Sequence, residues 1–107
     1  MTTSRTSVRP SQRRQVVLLL EGELDVAAAA EAHKRLICVE LRPGMDLVLD
    51  LSGLTFMDST GIRFVLQARD HALRHGARLL VVPGSERIMR VLELVGLCEQ
   101  LEFIEQP

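Results

Sequence analysis

The chain has 107 residues, of which 47% are hydrophobic and 25% charged, with a formal net charge of -1. These are the values of one soluble globular domain, and a chain of this size buries about 65% of its unfolded surface, enough for one core and no second. The apolar run Val16 to Leu20 is five residues long, against the ~20 that a membrane-spanning helix needs, and no basic stretch leads into a signal-peptide-like segment.

Residues 1–14 carry Arg5, Arg9, Arg13 and Arg14 and no acid, whereas 15–107 hold 9 basic and 14 acidic residues. This divides the chain into a flexible basic tail, 1–14, and a mildly acidic domain, 15–107. Only Phe56, Phe64 and Phe103 are aromatic. A net-negative body with so few stacking side chains excludes nucleic acid as the main partner.

Val16 to Leu20 reads as a strand apolar on both faces. Asp25 then caps a helix running to about Leu41, with Ala28, Ala32, Leu36 and Val39 at the helical period, and Arg42-Pro43-Gly44 stops it. Leu47 to Leu51 is a second buried strand, and Ser52 to Met57 a connection. A second helix opens near Asp58 or Ser59, with Ile62, Val65, Leu66, Arg69, Ala72 and Leu73 on one face and Gly76 closing it. Arg78 to Val82 is a third strand that ends at Pro83-Gly84. Ser85 caps a short helix with Ile88, Val91, Leu92 and Val95 inward, and Leu101 to Ile104 is a short final strand. Strands alternating with helices give an α/β fold, a mixed sheet of about four strands with parallel crossovers, packed by about three helices.

Asp58-Ser59-Thr60-Gly61 holds the chemistry. A hydroxyl at a helix start sits among unpaired backbone N–H groups and the positive end of the dipole, so a phosphate on it is locally tolerated. Helix capping by Asp58 or Ser59 is the simpler reading, and the two are compatible. Gly61 reads either as room for close approach or as a neutral small residue. Phe56 and Met57 read as core, with an apolar rim as the alternative.

The stretch Leu47 to Gly61, L-V-L-D-L-S-G-L-T-F-M-D-S-T-G, resembles the signature of the STAS domain, named for sulphate transporters and anti-sigma-factor antagonists. Gly22-Glu23-Leu24-Asp25 is similar to the family's G-E-L-D, and Val91 to Leu97 to its last helix and turn. The resemblance spans about residues 16 to 105. The family's strand ahead of the first long one has a counterpart only in Thr6 to Val8, and Pro107 ends the chain before a closing helix could form.

This resemblance implies an anti-sigma-factor antagonist in the cytoplasm, regulating transcription by binding and not an enzyme. Its unphosphorylated form would capture an anti-sigma factor with serine kinase activity and free the sigma factor. Phosphorylation at Ser59 would switch binding off, and a serine phosphatase would restore it. Asp25, Asp58, Ser59, Thr60 and Gly61 would meet the partner. No cofactor is implied, because no phosphate-cradling glycine-rich loop is visible. An unprotected sheet edge or uncovered helix face leaves a homodimer open. The alternative within the family is a soluble component of a membrane transporter or of a stress-signalling scaffold.

Three other chemistries fare worse. Strand, serine and helix also describe a nucleophile elbow, but Met57 fills the first glycine position, and His33, His71 and His75 lie on predicted helices with no reason to reach Ser59. His71 and His75, four residues apart near Asp70, read as a solvated helix face and no metal site, since no second ligand pair completes one. Asp50 resembles a receiver's acceptor aspartate, with Glu21 and Glu23 as acidic partners. The required lysine after a late strand is missing, as Lys34 in the first helix is the only lysine. Cys38 and Cys98 stand too far apart for a C-x-x-C motif, which fits a reducing compartment.

Overall fold

The computed structural model describes residues 5–12 and 14–106, residues 9–12 by their backbone alone. The elements are β1 (Arg5–Gln12), β2 (Gln15–Leu24), α1 (Val26–Cys38), β3 (Asp46–Met57), α2 (Ser59–Arg74), β4 (Arg78–Val82), α3 (Glu86–Leu94), a 3-10 turn (Leu97–Gln100) and β5 (Glu102–Phe103). The five strands lie in chain order, β1 antiparallel to β2 and the rest parallel. The α/β architecture with parallel crossovers and three helices is the one expected, with one strand more.

Each crossover steps to the next strand in the same direction, so crossovers of one hand place all three helices on one face of the sheet. Leu18, Leu20, Leu47, Leu49, Leu51 and Val81 form a single core there with Leu36 of α1, Phe64 of α2 and Ile88 of α3. Val17, Val48, Leu80 and Val82 alternate to the opposite face, where Ile104 packs against them. That alternation from continuous apolar runs is what makes β2, β3 and β4 interior strands.

Residues 5–12, read from sequence as tail, form β1, paired from Arg5↔Glu21 to Gln12↔Gln15. Backbone bonding to an otherwise open β2 edge holds them, and an edge strand needs no apolar pattern. Residues 1–4 and 13 lie outside the described residues. α1 stops at Cys38, with Val39 extended and its N–H on the Leu36 carbonyl at 3.2 Å. Leaving the helix early turns Leu41 into the core, where it is buried.

β3 continues through the expected connection to Met57, because β2 still offers partners there: Glu21↔Gly53, Gly22↔Leu54, Glu23↔Phe56 and Leu24↔Met57. A side chain at Gly53 would press on Glu21 Cγ at 2.9 Å and the Leu20 carbonyl at 3.0 Å, so only glycine lets the strands run this close.

α2 buries Gly61, Phe64, Val65, Ala68, His71 and Ala72, a face turned from the expected one by roughly one residue's step, ~100°. Leu66 and Leu73 are exposed instead. Small residues let the helix sit down on the sheet, and that closeness outweighs the larger leucines. In α3, Ile88 and Leu92 point inward as expected, but the helix ends at Leu94, leaving Val95 exposed beside the left-handed Gly96 (φ 74°).

Candidate functional site

β2 and β3 are parallel and end in register, Leu24 opposite Met57. Each is followed by an aspartate with extended backbone that caps the next helix. Asp25 Oδ1 accepts the Ala28 N–H at 2.9 Å, and Asp58 Oδ1 accepts the Thr60 N–H at 2.9 Å. Two capped helix N-termini therefore open side by side along the C-terminal edge of the parallel strands, the edge at which α/β sheets meet their ligands.

Ser59 is the first residue of α2 and is exposed. With Asp58 serving as cap, its hydroxyl makes no hydrogen bond among the described residues. Thr60 is half-buried and lines a groove between the two helices with Val26, Ala30 and His33 of α1 and Arg63 of α2. Val26 is 72% exposed although apolar. Neither Val26 nor Arg63 stood out in the sequence. An apolar residue directly after a cap, on the outward side of the first turn, was the available signal.

Gly61 is buried, and a Cβ on it would overlap Met57 Cγ and come within 2.9 Å of Met57 Sδ and 3.1 Å of Leu24 Cδ2. The room it provides is filled from within, by the two residues that end β2 and β3. It sets how deeply α2 sits and so where Ser59 emerges. Met57 is core, as expected, whereas Phe56 is 42% exposed and forms a rim beside the site.

The competing chemistries find no geometry. Asp50 is buried within β3, and its Oδ1 accepts from the Ser52 N–H at 2.9 Å and the Ser52 hydroxyl at 2.6 Å, a contact within the strand that engages that oxygen. His71 lies twelve positions beyond Ser59 on the same helix, about 18 Å away along its axis, and His75 caps that helix's far end, while His33, in the groove beside Thr60, makes no hydrogen bond to Ser59. His71 is not on a solvated face: it is only 9% exposed, because α2 is turned toward α1, while His75 is exposed. No cluster of three or more potential metal ligands exists among the described residues. None of the described helices is long and apolar enough to cross a membrane.

The STAS domain model matches residues 6–106. The chain belongs to the STAS domain family. Among its relatives, the anti-sigma-B factor antagonist of Bacillus subtilis is 30% identical over 84 residues, 78% of this chain and 76% of that protein. The solved structure of the anti-sigma factor antagonist SpoIIAA in its unphosphorylated form matches 94% of this chain and 88% of its own, with a TM-score of 0.76 at 21% identity. The Bacillus cell fate determinant SpoIIAA in the phosphorylated form matches 94% and 91%, with a TM-score of 0.72 at 21% identity.

Proposed function

We propose that this STAS protein is an anti-sigma-factor antagonist whose docking edge is switched by phosphorylation of Ser59. The observation that carries the reading is the position of Ser59, an exposed hydroxyl on the capped N-terminus of α2, beside the capped N-terminus of α1. The naming of its relatives as anti-sigma-B factor antagonists supports the same role.

In its unphosphorylated form the edge around Asp25, Asp58, Ser59, Thr60 and Gly61 binds an anti-sigma factor with serine kinase activity and so frees the sigma factor. Asp25, Asp58 and Ser59 meet the partner directly, while Gly61 acts from beneath by setting the height of α2. Phosphate adds about -1.5 to -2 charges beside Asp58. Solvent and the helix dipole accommodate that charge in the free protein, but a partner covering the site must desolvate it next to a carboxylate. Losing one partner of a desolvated charged contact costs about 2–5 kcal/mol, or ~30-fold to several thousand-fold in affinity, enough to separate two signalling states. A serine phosphatase resets the protein, and the output is binding in the cytoplasm, with no catalysis by this chain.

The test is affinity capture from the native host's lysate with Ser59→Ala and Ser59→Glu baits, read by mass spectrometry. A kinase-like anti-sigma factor retained by the alanine form and lost with glutamate supports the switch. Retention of the same transporter subunits by both baits, or of no kinase-like protein by either, overturns it in favour of a soluble transporter component.

A further inference from the structure

A histidine cluster that the proposed switch does not use lies where α1 packs on α2. His71 of α2 is 9% exposed, and its Nε2 is buried with no hydrogen-bond partner. His33 of α1 has a buried Nδ1 in the same condition. The rings of His71 and His75 lie 4.4 Å apart, and His75 Nδ1–H donates to the His71 carbonyl at 2.8 Å.

A neutral imidazole tolerates one unsatisfied acceptor nitrogen at modest cost. Its cation has two N–H donors, both of which need acceptors, and carries a charge that burial penalises. His71 Nε2 faces no acceptor. The carboxylate that would favour the cation, Asp70 on the same helix, is engaged by Arg74 at 3.1 Å. The remaining charged or titratable groups acting on His71 are Arg74 of α2, His75 at that helix's C-cap and His33 of α1, all opposing its protonation, and none comes from β3 or β4, the other elements against α2.

We propose that His71 makes the α1–α2 joint acid-labile: its neutral ring packs the two helices together, and its protonation in mildly acidic solution loosens α1 from α2. Burial, followed by His75, Arg74 and His33, pushes the His71 imidazole below the ordinary histidine value of 6.5. The folded protein therefore binds fewer protons than the unfolded chain. Stability is fully present above pH 6.5, declines as pH falls through that value, and stops declining once pH is below the folded-state value. His33 also lines the groove beside Thr60, so the joint adjoins the docking edge.

The experiment uses the full chain and His71→Leu, unfolded in urea at pH 7.5 and pH 5.0, together with an NMR titration of the histidine rings and amide hydrogen exchange. The wild type should lose stability toward pH 5.0 that the leucine variant keeps, and its α1 and α2 interface amides should lose protection first. In the wild type, the His71 ring should titrate below 6.5, as burial requires. His71 titrating at or above the ordinary value, or equal losses in both chains, overturns the proposal. If the leucine chain does not fold, His33→Gln replaces it: removing His33 should raise the titration point of His71, and an unchanged value counts against the cluster.

Discussion

Leu24 and Met57 stand opposite one another at the ends of two parallel strands, and each immediately precedes the aspartate that caps the following helix. This single register pair turns two local capping signals into one surface. It also lets the capping role of each aspartate be separated by substitution from the partner contact proposed for it.

Asp58 is the clearest case. Asp58→Ala should cost about 1 kcal/mol, because the Thr60 N–H loses its acceptor, while Asp58→Asn keeps the cap and nearly all the stability. Denaturant unfolding of the three forms measures this. Partner affinity that follows charge and not stability then assigns Asp58 a part in docking.

Gly61→Ala should destabilise by about 1–3 kcal/mol, because the new methyl overlaps the buried Met57 side chain, which must shift within a packed core. Adding Met57→Ala should return part of the loss. Additive losses in the double variant, read by thermal or urea unfolding, would show that the crowding lies elsewhere.

Phosphoserine installed genetically at position 59 should change folding stability by less than about 1 kcal/mol, since the dipole's attraction of about 0.3–1 kcal/mol offsets repulsion from Asp58. Urea unfolding of the modified and unmodified chains decides it. A loss of several kcal/mol would mean that the switch works by unfolding and not by surface charge.

The orientation of α2 can be checked with two substitutions. Leu73→Ser, at a position 61% exposed, should stay within about 0.5 kcal/mol of the parent, whereas Ala68→Leu, at a fully buried one, should cost about 1–3 kcal/mol. Comparable effects at the two sites would contradict the observed face.

The same contrast shows what could be read in advance. Val16 to Leu20, Leu47 to Leu51 and Arg78 to Val82 were legible as strands because interior parallel strands are apolar on both faces. β1 was legible only in Thr6 to Val8, as a counterpart to the family's leading strand, since an edge strand is held by backbone bonds that its residues do not advertise. α2 was placed correctly, yet its phase was misread, because large leucines attract attention while Gly61 and Ala68 decide how near the helix can come. Asp25, Asp58 and Ser59 stood out because capping is chemistry within one turn. Their meeting on one edge was hidden, as it depends on a register between residues 33 positions apart. His71 was hidden for the reason that misphased its helix.

Strand order follows chain order throughout the sheet. Each strand joins a neighbour that precedes it, so assembly can proceed as the chain leaves the ribosome, without any strand waiting for a later one to separate it from a wrong partner. Asp25 caps the first helix and Ser59 opens the second. The surface on which they lie can thus be in place before β4, α3 and β5 arrive to buttress it.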